Sequence, residues 1–201
     1  LERLRRMGLL SPQFVAIHAV HLDESEIGVL KTFGAHVAHC PSSNLKLGSG
    51  MAPIAQLERS GVNFGFGTDG AASNNRLDSF SEMRLASLLA KGSSGDATAL
   101  SAHKTLRAAT LSGAEALGLD PVIGSVVPGK YADLIAVRLN DWQLMPRFDI
   151  ASHLVNVVTR GDVSDVWVAG AAKVRDGKIL PIDAGILADI AEMWQNRILN
   201  A

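Results

Sequence analysis

Two polar side chains, His18 and Asp69, combine residue types and positions that suit metal-assisted hydrolysis. Each lies just after a short apolar run, residues 14–17 for the histidine and residues 62–66 for the aspartate. A carboxylate is a hard, anionic metal ligand, and an imidazole beside a metal-bound water can accept or donate a proton near neutral pH. By residue type alone, a hydrogen-bonded structural histidine and an ordinary Asp-Gly turn are the commoner interpretations, so position must decide.

A third candidate, His39, ends the apolar run at residues 35–38, which lies between the other two runs in the chain. It could line the same edge of a sheet, and we consider it a candidate contact with substrate. The remaining candidates are weaker, because His21 follows its strand into a loop, His36 should face the opposite side, and His103 falls on a helix surface.

Two other motifs, a glycine-rich turn and a single cysteine, lack the sequence context that their usual functions require. Residues 65–70 match the GxGxxG spacing of a dinucleotide-binding turn. That turn needs a helix starting inside the glycine run, whereas the next helix is predicted to begin near Leu77. Cys40 has no Lys, Arg or predicted helix N-terminus beside it to lower the pKa of its thiol, so we interpret it as a packing residue. As the single cysteine, it also excludes a P-C-x-x-C zinc site.

Three predicted strand-helix units, in residues 13–92, would position these side chains. Apolar runs of strand length alternate with segments of helical spacing, which is typical of a parallel sheet covered by helices. The carboxyl ends of such strands meet at one edge, where ligands bind. Strands two apart are separated by about 10 Å, so His18, Asp69 and a metal-bound water could share one site.

The pattern changes after residue 98. Residues 98–118 predict two helices joined near Ser112 and Gly113. Short strands are predicted at residues 125–127, 133–137, 163–168 and 172–175, followed by a helix at 183–199 that packs back on the body. We therefore expect a partial barrel at 1–118, a partial β-sandwich domain at 119–182 and a C-terminal helix at 183–201. A barrel of eight units needs about 250 residues, so the chain can hold only part of one.

Composition excludes several classes of function. With 47% hydrophobic and 19% charged residues, the chain can bury a core and is not disordered. A formal net charge of -1 offers no basic field to nucleic acid or anionic lipid. No apolar run approaches the length of a membrane span, and the single cysteine suits a reducing compartment. We expect a cytoplasmic protein without nucleic-acid or membrane partners.

Six short segments, in this order along the chain, resemble those of a known family. They are IHAVHL from Ile17, HCPSSNLKLGSG from His39, GFGTDGAASNN from Gly65, SEMRLASLLAK from Ser81, PGKYADLIAV from Pro128 and VWVAGAAKVRDGK from Val166. Together they resemble the amidohydrolase superfamily, specifically the metal-dependent deaminases of S-adenosylhomocysteine and 5'-methylthioadenosine and their chlorohydrolase relatives. The resemblance implies a C-terminal portion, namely the last three strand-helix units of a distorted (β/α)8 barrel plus part of a small β-rich composite domain. A start at Leu rather than Met agrees with this expectation.

The resemblance also implies residue roles. Asp69 corresponds to the metal-binding aspartate after the eighth strand, and His18 to the histidine after the sixth strand that hydrogen-bonds the attacking water. Ser73 would lie where the last barrel loop meets substrate. The family's H-x-H ligands, its fifth-strand histidine and its ring-protonating glutamate all precede this segment, and the chain has no H-x-H. Because Asp69 alone cannot hold a catalytic metal, the ion, zinc with iron as the alternative, needs further ligands from the missing N-terminal portion.

The expected activity of the intact enzyme is hydrolytic deamination of a purine nucleoside thioether, S-adenosylhomocysteine or 5'-methylthioadenosine. One alternative is a related amidohydrolase, such as a chlorohydrolase or a guanine or cytosine deaminase. Another is that the chain by itself is non-catalytic and acts as a folding or oligomerisation partner. We expect the isolated 201 residues to be inactive, and a homo-oligomer of the intact enzyme is left open.

Overall fold

The computed structural model describes residues 1–200. By its internal contacts the chain forms two compact units. The first comprises Leu1–Lys130 and Trp142–Arg160, and the second comprises Tyr131–Asp141 and the residues from Gly161 on. The predicted domain boundaries at residues 118 and 182 stay predictions. None of the helices in the described part of the chain is long and apolar enough to cross a lipid bilayer.

The first unit is built on three parallel strands covered by helices. The strands are β1 (Val15–Ile17), β2 (His36–His39) and β3 (Phe64–Phe66), in the spatial order β1-β2-β3. The helices are α1 (Glu2–Arg6), α2 (Glu24–Thr32), α3 (Pro41–Lys46), α4 (Ile54–Ser60), α5 (Ser79–Ser94), α6 (Ala102–Ala109), α7 (Leu111–Ala116) and α8 (Ile150–Asn156). The predicted alternation of strands and helices in a parallel sheet is confirmed.

Local sequence signals set the ends of these helices. Asp23 and Glu26 form a reciprocal capping box at the start of α2, in which the Asp23 carboxylate accepts the Glu26 amide at 2.8 Å. Helix α4 ends at Gly61, whose φ of 68° lies in the left-handed region that glycine tolerates best. Asp78 caps α5 by accepting the amides of its first turn.

The core of the first unit lies between the sheet and helices α2, α4 and α5. Leu30, Val37 and Leu57 are each 0% exposed, and Ala86 on α5 packs in the same cluster. Burying a side chain of this size stabilises the fold by roughly 1.5–3 kcal/mol, so the sheet is a firm platform for the loops at its carboxyl edge.

The second unit is an antiparallel sheet. Its strands are β4 (Leu134–Val137), β5 (Val163–Val168), β6 (Ala171–Arg175) and β7 (Lys178–Ile179), in that order. The tight hairpin predicted at residues 175–178 is confirmed, with positive φ at Asp176 and Gly177. Helix α9 (Ala184–Leu199) begins at the Asp183 cap, as predicted, and it carries no buried residue. Its packing on the body stays a prediction.

Three local predictions are wrong. The polar stretch SSNLKLGSG, from Ser42, predicts a long loop, but its first half lies in helix α3, because Pro41 at the first position of this helix presets a helical φ. Residues 125–127 form no strand, since their backbone folds back locally through a Val127 amide to Ser125 carbonyl bond of 3.2 Å. Helices α6 and α7 are joined at Thr110 rather than at residues 112–113.

Candidate active site

The parallel register brings His18, His39 and the loop leading to Asp69 to one edge of the sheet. Ile17 is paired with Ala38, and the His18 amide continues this ladder by donating to the Ala38 carbonyl at 2.9 Å. On the other side, the Gly67 amide donates to the His39 carbonyl at 2.9 Å. All three strands therefore end at the same level, which is the carboxyl edge where the sequence predicts the site.

Both residues at the centre of the predicted site have a left-handed backbone. His18 has a φ of 67° and Asp69 a φ of 61°, a region that non-glycine residues occupy rarely. Such conformations cost on the order of 1–3 kcal/mol and are concentrated at functional sites, where the surrounding structure imposes them. Asp176 in the ordinary hairpin turn shares this region, so the side-chain contacts of His18 and Asp69, rather than their torsions, must separate a functional site from a turn.

The His18 ring is fixed by one side chain of α3. Its Nδ1 lies 2.9 Å from Oδ1 of Asn44, which is 2% exposed. With Oδ1 of Asn44 facing the ring, Nδ1 carries the proton of the neutral imidazole and Nε2 keeps its lone pair, while Nδ2 of Asn44 has no hydrogen-bond partner among the described residues. His18 is thereby held in the tautomer that accepts a hydrogen bond through Nε2.

The Asp69 carboxylate is held by its own loop and by α3. The Ser43 hydroxyl donates to Oδ2 at 2.6 Å, and the Gly70 amide donates to Oδ1 at 2.7 Å. These hydrogen bonds, with Ser43 contributing most and the Ser73 hydroxyl next, lower the pKa of Asp69 to about 2. The aspartate is therefore ionised at any physiological pH, as a metal ligand must be.

Ser73 lies in the same loop as Asp69. Its hydroxyl donates to the Gly70 carbonyl at 3.1 Å and is near enough to Asp69 to lower the pKa of that carboxyl. These contacts place Ser73 beside the predicted metal ligand. Its contact with substrate stays a prediction.

His39 is buried more deeply than the sequence suggests. Its ring is 2% exposed and lies with its centroid 6.3 Å from that of Phe66. Burial, aided by the positive charge of a protonated His18, lowers the pKa of His39 to about 4, so the ring is neutral near pH 7. Its Nδ1 has no hydrogen-bond partner in the described part of the chain. The predicted contact of His39 with substrate stays a prediction.

The residues that hold the site, Ser43 and Asn44, are absent from the candidates drawn from the sequence. They are consecutive on α3, and each is at most 2% exposed. The available signal was Pro41, two residues after the end of β2, since a proline at this place can start a helix and direct the polar side chains that follow it toward the sheet edge.

Cys40 is the N-cap residue of α3, so the expectation that no helix begins beside this thiol is wrong. Burial nevertheless raises the pKa of Cys40 to about 11, and the nearby charges of Asp69 and Glu82 act in the same direction. The thiol is 3% exposed and protonated near neutral pH, in agreement with a packing role.

A metal ion fits the site only in part. Asp69 offers an ionised carboxylate whose two hydrogen bonds leave further lone pairs free, and His18 offers the unprotonated Nε2 to a water beside the ion. Among residues 1–200 no group of three or more His, Cys, Asp or Glu side chains is placed to hold a metal. The described residues thus offer one carboxylate to a metal and one imidazole to a water, and both roles stay predictions.

Parallel strand-helix units with functional groups at their carboxyl edge define an architecture of the (β/α)-barrel class. Within that class, the chain belongs to the amidohydrolase family, whose model matches residues 1–179. The resemblance noted from the sequence motifs is thereby confirmed.

Curated relatives with a similar sequence carry deaminase names. The chain is 44% identical over 198 residues to a 5-methylthioadenosine/S-adenosylhomocysteine deaminase of Teredinibacter turnerae, covering 98% of the chain and 45% of that protein. It is 43% identical over 192 residues to a 5'-deoxyadenosine deaminase of Methanothermobacter thermautotrophicus, covering 96% of the chain and 44% of that protein. The chain therefore spans less than half the length of these relatives.

Solved structures agree with the fold. An adenosine deaminase from Xanthomonas campestris with bound zinc matches with a TM-score of 0.97 and 46% identity, over 100% of this chain and 46% of that one. The zinc complex of an atrazine chlorohydrolase from Arthrobacter aurescens matches with a TM-score of 0.86 and 31% identity, over 95% of this chain and 43% of that one. The predicted fold class, part of an amidohydrolase barrel with a β-rich unit, is confirmed.

Proposed function

We propose that this chain is the C-terminal part of a metal-dependent enzyme that hydrolyses the exocyclic amine of an adenosine-type nucleoside thioether. The substrates would be S-adenosylhomocysteine or 5'-methylthioadenosine. The observation that carries the proposal is that His18 and Asp69 lie at one sheet edge and are each held by one of two consecutive α3 residues. The deaminase names of relatives at 43–44% identity support the substrate class.

In this reaction, water oxygen forms a bond to the amine-bearing ring carbon, the carbon–nitrogen bond breaks, and ammonia leaves. No electron is gained or lost. Asp69 would hold the metal through its carboxylate and would pass the proton of the attacking water on to the departing amine, so that ammonia leaves and Asp69 is again ionised, while Nε2 of His18 would accept a hydrogen bond from the same water and orient it. Zinc, when bound, lowers the pKa of water from about 15.7 toward about 7. Zinc is proposed over iron because the matching structures carry it.

The rest of the complete enzyme would supply the remaining ligands and the acid that protonates the ring nitrogen. Ser73 would approach the substrate from the Asp69 loop. A contact of His39 with substrate, as the sequence predicts, would require its buried Nδ1, which has no partner among the described residues, to become accessible.

The test is a substrate panel with the complete, zinc-loaded enzyme. We expect ammonia release from S-adenosylhomocysteine and 5'-methylthioadenosine, with weaker release from guanine or cytosine. Asp69→Asn should lower turnover by at least about 100-fold, more than the loss of a residue behind the ligands would cost. The fold should remain, because asparagine tolerates a left-handed backbone. Asp189→Asn, an exposed change on α9, is the matched control and should leave turnover unchanged. Near-normal activity of Asp69→Asn would refute the role of this residue.

A chlorohydrolase is the second candidate, favoured by the structural match to the atrazine enzyme. The same panel separates the two, because a chlorinated triazine would release chloride rather than ammonia. Chloride release with no action on the nucleosides would replace the deaminase proposal.

A further inference from the structure

Glu82 is a buried carboxylate that lies outside the site already described. It belongs to the first turn of α5 and is 1% exposed. Its Oε2 accepts the backbone amide of Ser42 at 3.1 Å, and its Oε1 accepts the side-chain amide of Asn74 at 2.7 Å. Burial of a carboxylate is costly unless hydrogen bonds compensate it, so these two bonds are what make the buried position tolerable.

The two partners of Glu82 belong to the two segments that hold the site. Ser42 directly precedes Ser43 and Asn44 on α3, which bind Asp69 and His18. Asn74 directly follows Ser73, in the loop that carries Asp69. The Asn74 amide donates to the Gly70 carbonyl at 2.8 Å, so a shift of Asn74 is transmitted to the residue next to Asp69.

A second link joins the same two segments at the surface. The Lys46 ammonium, at the last residue of α3, donates to the Ala72 carbonyl and to Oδ1 of Asn75, both at 2.6 Å. This link is exposed to solvent, whereas the Glu82 link is buried. Glu82 is 1% exposed, and hydrogen bonds at low local dielectric are stronger than exposed ones, so its link restricts the two segments more than the lysine link does.

We infer that Glu82 is a positioning residue for the reaction. Its carboxylate bridges α3 and the loop after β3 at one distance, and this distance sets the reach of Ser43 to Asp69 and of Asn44 to His18. The inference rests on the proposed function for its effect on turnover. Its effect on the His18 ring is independent of that function.

The test exchanges hydrogen-bond donor and acceptor between Glu82 and Asn74. In Glu82→Gln the side chain has one acceptor and one NH2 group, and the NH2 group faces a donor in either orientation. We expect a fall in kcat of about 10- to 100-fold with little change in KM, as for other residues behind a catalytic group. Adding Asn74→Asp restores both bonds, because the new amide donates to the new carboxylate and still accepts from Ser42. In the parent protein, Oδ1 of Asn74 accepts the Arg76 backbone amide at 3.2 Å. The second carboxylate oxygen of the new aspartate can keep this hydrogen bond.

The control is Glu58→Gln on α4. Glu58 also has little side-chain exposure, at 13%, and also accepts a backbone amide, that of Leu100 at 2.8 Å, together with the Lys104 ammonium. It contacts neither α3 nor the loop after β3 through these bonds. We expect Glu58→Gln to lower the melting temperature while leaving kcat unchanged.

A second readout needs no turnover. With 15N-labelled histidine in the metal-free complete enzyme, the His18 ring should show a protonated Nδ1 and an unprotonated Nε2. Glu82→Gln should mix the two tautomers, the double variant should restore the single one, and Glu58→Gln should leave it intact. If the parent lacks deaminase activity but these spectra hold, the proposed function fails and the positioning role survives. An unchanged tautomer and kcat in Glu82→Gln, or no rescue by Asn74→Asp despite a folded protein, would overturn the inference.

Discussion

At the scale of single residues, the side chains at the carboxyl edge of the parallel sheet differ in their protonation states. Hydrogen bonds keep Asp69 ionised, with a pKa of about 2, whereas burial keeps His39 neutral, with a pKa of about 4. One group is therefore a permanent anion near neutral pH, and the other is a permanent neutral ring. His18, after the outer strand β1, is held by the Asn44 side-chain carbonyl oxygen in one tautomer. The division of roles follows from the environment of each group rather than from its type.

Burial of a neutral His39 predicts how stability depends on pH. The unfolded ring titrates near 6.5 and the folded ring near 4, so between these values the unfolded state binds more protons. The free energy of unfolding should fall as the pH is lowered from about 6.5 to 4, by roughly 3 kcal/mol in all, and this contribution should level off below pH 4. Urea unfolding of the complete protein across this range measures the slope.

His39→Leu, which keeps a side chain of similar volume, is the matched variant for this prediction. In this variant the free energy of unfolding should change less between pH 4 and 6.5 than it does in the parent protein. Equal slopes in the two proteins would mean that His39 titrates normally and is not buried as described.

At the scale of elements, two glycines set the distance between β3 and its neighbours. A Cβ at Gly67 would lie 3.1 Å from Sγ of Cys40, and a Cβ at Gly65 would lie 3.0 Å from Cα of Gly113. The glycines that mimic a dinucleotide-binding turn in sequence are therefore required for close packing of the strand end, on the α3 side and on the α7 side. Packing, rather than phosphate binding, accounts for their spacing.

These contacts predict a difference between two alanine substitutions. Gly67→Ala should destabilise the protein by about 1 kcal/mol, because the flexible Cys40 side chain can yield. Gly65→Ala should cost more, because backbone atoms of α7 oppose it. In a double-mutant cycle, Cys40→Ala should reduce the cost of Gly67→Ala and leave that of Gly65→Ala unchanged. Equal costs with no coupling to Cys40 would contradict the packing shown by the structure.

The same scale shows how far sequence reasoning reaches. Apolar runs and caps predict the three strands, and the first polar residues after them include His18 and Asp69. Helix α3 is not predicted from the sequence, because its residues PSSNLK are mostly weak helix formers and have no apolar periodicity. Pro41 favours the start of this helix, and the Glu82 carboxylate, 40 positions away, accepts the Ser42 amide in its first turn. The proline is visible in the sequence, but the contact with Glu82, and with it the placement of Ser43 and Asn44 at the site, is not.

At the scale of the whole molecule, the chain carries a fraction of a larger architecture. It spans 45% of the Teredinibacter relative, and its three-stranded sheet has β1 and β3 as outer strands. Ile17 at the end of β1 is 55% exposed. In a closed barrel such strands are paired on both sides, so the remaining sequence would cover them.

The partial ligand set predicts a difference in zinc binding. The complete enzyme should retain about one zinc ion per chain after dialysis, because several protein ligands hold a catalytic ion. The isolated 201 residues, with Asp69 as their one proposed ligand, should lose it. Elemental analysis of both proteins after dialysis against buffer measures this, with Asp69→Asn in the complete enzyme as the control for ligand loss. Stoichiometric zinc in the isolated chain would contradict the assignment.

The left-handed backbone at His18 and Asp69 has a consequence for how this sequence can drift. Glycine would relieve the torsional cost at both positions but would leave the buried Asn44 and Ser43 side chains without these hydrogen-bond partners. Selection for stability alone would weigh these two effects against each other. Under the proposed roles, selection for turnover would keep both side chains whatever the balance.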